Sequence, residues 1–488
     1  MKYVIALDQG TTSSRAVLID EIGNLIDIKQ KEFSQIFPNR GWVEHDPLEI
    51  LSSQIKVFED LLSSNSIDPK SIISLGITNQ RETTVLWDKD TGKPLYNAIV
   101  WQDKRTANIC EKIKKDGLEE YIKENTGLVV DSYFSATKIK WIIDNVDGVR
   151  DKVKKNKVLA GTIDSWLIYN LTSFKSHFTD FTNASRTMIF NFKSLKWDNK
   201  ILNYLDIPKS ILPNVLPSSS DFGTFNYNGC NIPIHGVAGD QQSALFGQAC
   251  FEDGMVKNTY GTGCFLLMNT GKKMNLSQNG LLTTIACSTT KSINYALEGS
   301  VFIAGAAIQW LRDSLQVIKS ASETEEIANS IMELEDIYVV PAFAGLGAPY
   351  WNPNATGAIM GITRGTQKGH IARAALEAIA LRSREIIIEM QKDSGTKFRK
   401  LKVDGGASNN NLLMQIQSNL LQTQVIRPKI TETTALGVAF FAGLASGFWN
   451  SIDEIKGIWE IDKKFDPQVL EKDKIVISNW EARIKKVL

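Results

Sequence analysis

Twice in this sequence an apolar run stops at a short, glycine-containing polar turn and resumes at once as a second apolar run. Residues 3–7 stop at Asp8-Gln9-Gly10-Thr11-Thr12-Ser13-Ser14, after which 15–19 and 25–33 read as the next two strands of an antiparallel meander. Residues 255–259 stop at Tyr260-Gly261-Thr262-Gly263 and resume over 264–268. A hairpin needs further strands or a helix against its apolar face. Two hairpins so far apart therefore call for two sheets, and their likeness hints at an internal duplication. A chain of 488 residues has room for two cores, or three.

The intervening elements fit that plan. Asp46 as N-cap and Pro47 at the first helical position announce a helix whose Leu48, Leu51, Ile55, Phe58 and Leu62 line one face. Residues 71–77 read as a buried strand that ends at Thr78-Asn79-Gln80-Arg81-Glu82, and ligands commonly bind at such carboxyl ends. Pro208, Pro213, Pro217 and a serine cluster make 207–223 a loop or surface excursion rather than a strand. Strand character returns over 232–238 and stops at Gly239-Asp240-Gln241-Gln242, where a small-residue helix begins. The first domain is expected to close near 248, and 249–488 to form the second. In the latter, 371–390 and 411–422 read as long helices and 434–446 as a small-residue helix suited to close packing.

Composition excludes several classes. With 55 basic and 54 acidic residues no global field favours nucleic acid or an anionic membrane, and no stretch is apolar for long enough to span a bilayer. The basic runs at 152–157 and 483–486 read as solvated helix ends or tails. Five scattered cysteines fit a reducing, cytoplasmic compartment, and the four histidines have no metal-ligand spacing. A phosphate ligand would have to be held by local donors.

Four places offer such chemistry. The turn Asp8 to Arg15 presents backbone amides, hydroxyls and a guanidinium that can face phosphate oxygens, and Asp8 can hold Mg²⁺ directly or through water; the same residues also make an ordinary polar hairpin loop. Tyr260-Gly261-Thr262-Gly263 offers a second phosphate-facing loop or, again, only a hairpin. Val403-Asp404-Gly405-Gly406-Ala407-Ser408-Asn409-Asn410 leads from a strand into a helix. Its paired glycines admit a flat ligand and its asparagine can both cap the helix and bond a base or ribose, though a bare strand–helix connection reads the same way. Arg81, Glu82, Tyr133, Asp240 and Gln241 could serve the hydroxyls of a small polyol, with Trp101 and Phe265 as its apolar wall. The alternatives are an exposed Arg81–Glu82 ion pair and a core Trp101.

Taken in order, 7–15, 41–47, 76–84, 97–102, 238–242 and 258–265 resemble, with most of the chain, the glycerol kinases of the FGGY carbohydrate kinase family, within the actin-like ATPase superfamily. Tyr133, Ser135, Lys138 and Trp141 match one family signature, and Gly357, Gly361, His370, Ala374 and Glu377 the other. The resemblance implies an α/β fold of two actin-like (ribonuclease H-like) domains, each a mixed sheet flanked by helices, with an interdomain active-site cleft. The glycerol pocket and first phosphate loop would lie in 1–248, and the second phosphate loop and adenosine site in 249–488. Arg81, Glu82, Trp101, Tyr133, Asp240, Gln241 and Phe265 are then expected to bind glycerol. Thr11, Thr12, Ser13, Arg15, Thr262, Gly305, Gln309, Gly406 and Asn410 would bind ATP, with Asp8 near Mg²⁺. The implied reaction is in-line transfer of the γ-phosphoryl group to a terminal hydroxyl, giving sn-glycerol 3-phosphate, with Asp240 as general base.

A homo-oligomer, dimer or tetramer, is expected, without nucleic-acid partners or membrane insertion. The segment between Gly223 and Pro233 lacks the Gly-Gly-Lys-Gly-Gly-x-Arg loop with which some relatives bind fructose 1,6-bisphosphate. It also lacks the histidine that others phosphorylate, so neither control is expected. A kinase of the same family for another polyol or a ketose, and an actin-like chaperone or filament protein, are the rival readings. The former should alter the Arg81, Glu82, Trp101 and Phe265 set, and the latter has no use for Asp240 beside a polyol pocket.

Overall fold

A computed structural model describes residues 1–289, 292–331, 336–343 and 345–488. By their internal contacts the residues divide into two units. One comprises Met1–Ala249, Thr283–Tyr295 and Thr433–Ile458, and the other Cys250–Leu282, Ala296–Glu432 and Trp459–Leu488.

The first unit is built on a six-stranded mixed sheet. Its order is Thr224–Tyr227, Cys230–Gly239, Ile72–Asn79, Tyr3–Gln9, Ser13–Asp20 and Leu25–Glu32. The last three strands form the expected antiparallel meander. Tyr3–Gln9, Ile72–Asn79 and Cys230–Gly239 run parallel, and Gln9, Asn79 and Gly239 stand in one row at their carboxyl ends. Three chain segments thus leave the sheet at one edge, which is where a parallel sheet offers its ligand site. Helix Pro47–Ser64 covers the meander, and Asp46 caps it by accepting from the Leu48 amide at 2.8 Å.

The face that this helix buries is rotated from the expected one. Ile50, Val57, Phe58, Leu61 and Leu62 are buried, Leu51 and Ile55 are only half-buried, and Leu48 is 50% exposed. Pro47, Ile50, Gln54, Val57 and Leu61, all buried, have the same 3-4-3-4 spacing, and packing against the meander selects that series. Residues 207–223 also depart from a plain loop. Asn214–Leu216 is a short strand parallel to Phe178–Asp180, and Ile211, Ser218 and Phe222 are buried. The next segment is a tight hairpin in which Tyr227 pairs with Cys230 across Asn228 and Gly229, both at positive φ.

The second unit repeats the plan. Ser292–Val301, Cys264–Asn269, Val256–Tyr260, Lys400–Asp404, Gln424–Pro428 and Ile461–Phe465 are neighbours in that order, with Leu282–Thr289 added beside Ser292–Val301. Successive pairs are antiparallel, antiparallel, parallel, parallel and antiparallel. That is the sequence of directions found in the first sheet when it is read from Leu25–Glu32. Helix Lys368–Ser394 and helix Asn411–Leu421 pack on this sheet around a continuous apolar core that includes Leu266, Leu376, Ile379, Val403 and Leu413.

The contact division differs from an uninterrupted second domain over 249–488, and the small-residue helix Thr433–Ser446 shows why. A Cβ placed on Gly437 would lie 1.8 Å from the Ser243 carbonyl oxygen, and one on Gly247 would lie 2.0 Å from the Thr433 oxygen. A Cβ on Gly76 or on Gly236 would likewise lie 2.5 or 2.6 Å from the Val438 carbonyl oxygen. Backbone meets backbone at each place, which only a residue without Cβ permits. Phe246 stacks on Phe441 at 4.1 Å between centroids, and the Ser243 hydroxyl donates to the Thr434 oxygen at 2.6 Å. The helix therefore belongs to the core that contains Asp240–Gly247, although it follows a strand of the other sheet.

Candidate active site

The row Gln9, Asn79 and Gly239 brings Asp8, Arg81, Glu82 and Asp240 to one sheet edge. Arg81 crosses the backbone at Gly239, where a Cβ would lie 2.7 Å from its Cδ. Its Nε reaches Asp240 Oδ1 at 3.1 Å and its Nη1 donates to Gln242 Oε1 at 3.1 Å. Asp240 Oδ1 also accepts from the Gln241 amide at 2.7 Å, and Oδ2 from Gln241 Nε2 at 3.2 Å. The Arg81 and Glu82 side chains are 2% exposed and that of Asp240 is 30% exposed, so only the last presents a carboxylate to solvent. The alternative of an exposed Arg81–Glu82 ion pair does not hold: both side chains are in a buried network.

Glu82 is held at φ 60°, a backbone conformation seldom adopted by a side-chain-bearing residue outside constrained sites. Its carboxylate accepts from Arg186 Nε at 2.7 Å and its carbonyl from the Ser135 hydroxyl at 3.0 Å. The Tyr133 and Trp101 rings meet edge to face at 5.6 Å. Trp101 is half-buried, and its Nε1 donates to Thr11 Oγ1 at 3.0 Å, so it is a wall of this edge rather than core. Lys138 fixes the segment that carries Tyr133: its buried ammonium donates to the carbonyls of Ser132, Tyr133 and Phe134 at 2.6, 2.6 and 3.1 Å. Burial pulls that ammonium down to about 8, against the pull of Glu82, Asp103 and Asp131.

The turn after Tyr3–Gln9 is narrower in its chemistry than its composition. The Gly10 amide closes the turn on Ser13 O at 3.0 Å. Ser14 faces inward, its hydroxyl donating to Gln9 Oε1 at 2.9 Å, and Ser13 Oγ accepts from Gln30 Nε2 at 3.0 Å. Thr11 and Thr12 are left at the tip, and Arg15 Nη1 stands 3.9 Å from Asp8 Oδ2 beside it.

In the second unit, Tyr260-Gly261-Thr262-Gly263 is closed the same way, by the Gly261 amide on Gly263 O at 2.9 Å. The start of helix Gly305–Asp313 holds it, since the Gly305 amide donates to Gly261 O at 3.0 Å and Ala306 to Thr262 O at 3.1 Å. Gly405, at φ +83°, passes under Tyr260 O, and Asn410 caps helix Asn411–Leu421 by accepting from the Leu413 amide at 2.8 Å. That cap leaves Asn410 Nδ2 as a donor. These pieces enclose a cavity of about 460 Å³ lined by Thr262, Gly305, Gln309, Gly406 and Asn410, all five of the nucleotide residues expected in this half. Its apolar wall of Ile308, Leu376, Ala407 and Leu413 suits a planar base, and the volume suits a small organic ligand. Gly305→Ala would put a methyl 2.5 Å from the Gly261 oxygen and displace the turn. Steady-state kinetics should then show the KM for the nucleotide expected in this cavity raised roughly tenfold, about 1.4 kcal/mol, with that for the expected acceptor unchanged.

The residues so described include all those expected but one. Phe265, the remaining wall residue, lies in the second unit, paired with Ser300 in the sheet. Sequence reasoning missed Arg186, Gln242, Arg312 and Glu325. Glu325 lines the cavity and accepts from the Asn411 amide at 3.0 Å, at the start of a helix where a carboxylate is favoured. No local motif marks Arg186 or Glu325, because their partners Glu82 and Asn411 are distant in the chain; Gln242 lies within 238–242 but its partner Arg81 does not, and Arg312 pairs with its neighbour Asp313.

Relatives fit this geometry. Residues 3–247 match the FGGY family of carbohydrate kinases, N-terminal domain, and 256–446 its C-terminal domain. The chain is 58% identical to the "Glycerol kinase" of Fusobacterium nucleatum, across 97% of this chain and 96% of that one. It is 56% identical to the "Glycerol kinase" of Alkaliphilus metalliredigens, across 100% and 98%. The crystal structure of Plasmodium falciparum glycerol kinase with ADP superposes with a TM-score of 0.93 at 37% identity, covering 100% of this chain and 98% of that one. Two matched domain types in order, near-full-length identity and a repeated sheet plan all lead to one assignment: the chain belongs to the FGGY family of carbohydrate kinases.

Proposed function

We propose that the protein is an ATP-dependent glycerol kinase that forms sn-glycerol 3-phosphate, with Asp240 as general base. The observation that carries the proposal is the Asp240 carboxylate itself, exposed to ligand at a sheet edge and oriented by Arg81 and Gln241 beside Glu82, Trp101 and Tyr133. The two glycerol kinases above support the choice of acceptor, and the ADP named with the Plasmodium structure supports the choice of donor.

In this reading glycerol hydroxyls bond Arg81, Glu82, Tyr133 and Gln241 while its carbon edge rests on Trp101. Asp240 accepts the proton of the attacking hydroxyl as that oxygen reaches the γ-phosphorus and ADP departs in line. In a loose transition state the nucleophile needs little activation, so a carboxylate suffices and placement matters more. In the second unit the cavity beside Thr262, Gly406 and Asn410 suits the nucleoside, and in the first unit Thr11, Thr12 and Arg15 offer hydroxyls and a guanidinium that suit phosphate oxygens. Asp8 would hold Mg²⁺, directly or through water, and the ion would offset the charge of the phosphates.

Trp101→Ala should raise the KM for glycerol about tenfold or more and that for ATP far less. Because the indole N–H also serves Thr11, Trp101→Phe separates the wall from the hydrogen bond. A glycerol KM near wild type in the phenylalanine variant and a raised one in the alanine variant assigns the effect to the wall. Equal changes for both substrates in Trp101→Ala would reject the pocket.

A further inference from the structure

The strand that delivers Asp240 has an unusual last hydrogen bond. Along Cys230–Gly239, alternate amides face away from the neighbouring strand Ile72–Asn79, and by Val237 the antiparallel edge strand Thr224–Tyr227 has ended. The Val237 amide finds the Ser218 carbonyl at 2.9 Å. The Gly239 amide, one residue before Asp240, finds no carbonyl there and donates instead to the hydroxyl oxygen of Thr182 at 2.8 Å.

That hydroxyl is itself fixed. It donates to the Asp180 carboxylate, with oxygens at 2.7 and 2.9 Å, and both residues are fully buried. Asp180 also accepts from the amides of Thr182 and Asn183 at 3.0 and 2.9 Å, from Asn183 Nδ2 at 3.0 Å and from the Ser218 hydroxyl at 2.6 Å. Asn183 Oδ1 in turn accepts from Asn79 Nδ2 at 3.1 Å, and Asn79 is the row partner of Gly239. A closed ring of bonds therefore ties the end of one strand to the end of its neighbour through the short turn 180–183. A single-bonded hydroxyl could rotate; one that accepts from a peptide and donates to an anion cannot do so without losing both.

We propose that Thr182, anchored by Asp180, is a positioning residue for the Asp240 carboxylate, holding the 238–239 peptide from behind while Arg81 and Gln241 orient the side chain from in front. The inference rests on the reading of Asp240 as base. Without the hydroxyl the Gly239 amide is buried with no acceptor, and the peptide can turn to seek one. Misplacement of a reacting group by about 1 Å costs on the order of 100-fold in rate. The bonds of the Thr182 hydroxyl run to Asp180 and to the Gly239 amide, so glycerol binding through Arg81, Glu82 and Trp101 should be spared.

The test compares Thr182→Val, Thr182→Ser and Asp240→Asn in the full-length enzyme by steady-state kinetics in both substrates, with thermal unfolding alongside. Thr182→Val is expected to lower kcat about 10- to 100-fold with both KM values within about threefold, and Thr182→Ser to recover kcat to within about threefold of wild type. Thr182→Ala carries the same expectation as the valine variant if valine is not tolerated. A kcat for the hydroxyl-free variants within about twofold of wild type, or a serine variant as slow as valine, overturns the proposal. So does a loss of rate that only tracks the loss of folded protein. If Asp240→Asn is inactive while Thr182→Val is normal, the positioning role fails and the base stands. If Asp240→Asn turns over normally, the base itself is misassigned.

Discussion

Asp240→Asn is expected to lower kcat by roughly 10² to 10⁴-fold while glycerol still binds within a fewfold of wild type. Asparagine is nearly isosteric and keeps an oxygen for Arg81 Nε and for the Gln241 amide, the two contacts that hold Oδ1 at 3.1 and 2.7 Å. What it loses is the capacity to take a proton and the charge opposite Arg81. The pocket should persist and the chemistry should not. Calorimetric titration with glycerol and single-turnover transfer measure the two separately, and near-normal turnover would reject Asp240 as the base.

Gly437→Ala should have the largest effect on stability, because the added methyl meets backbone rather than a side chain. Its Cβ would lie 1.8 Å from the Ser243 oxygen, 2.6 Å from the Ser243 carbon and 2.9 Å from the Gly247 nitrogen, with no rotamer to change. Relief requires the helix Thr433–Ser446 to move off Asp240–Gly247. We expect a cost of about 3 kcal/mol, at the upper end for overpacking, and a midpoint of thermal unfolding lower by roughly 5 °C or more. Gly457→Ala is the control: it is exposed, on helix Ile452–Ile458, and its Cβ would meet nothing within 4 Å. It should melt at or slightly above the wild-type temperature. A Gly437→Ala protein that unfolds like the control would show that the close approach is not tight.

Much of this architecture is legible in the amino-acid sequence, for reasons that differ element by element. Both glycine turns are readable because their residues act within a few positions of one another: Gly10 bonds Ser13 and Gly261 bonds Gly263. Asp46 with Pro47 marks a helix start for the same reason. The repeated sheet plan is only hinted at, since the parallel neighbours arrive late in the chain, Ile72–Asn79 in one unit and Lys400–Asp404 in the other. Periodicity misplaces the buried face of Pro47–Ser64 because two series of identical spacing compete and only the sheet beneath decides between them.

The site shows the same divide. Arg81, Glu82 and Asp240 stand at strand ends that can be found from apolar runs alone, but their partners cannot. Arg186 reaches Glu82 across 104 residues and Gln242 reaches Arg81 across 161. Composition also overstates the first turn. Ser14 looks like a fourth hydroxyl for phosphate, yet strand alternation sends it inward to Gln9 and Ser53.

The account turns on an acceptor of one kind, and coupled ADP release across glycerol, other polyols and pentuloses measures that directly. With Mg-ATP saturating, turnover should require an acceptor, and kcat/KM for glycerol should exceed that for every other compound by about tenfold or more. ADP release that proceeds equally well without acceptor, or faster with a pentulose than with glycerol, would contradict it.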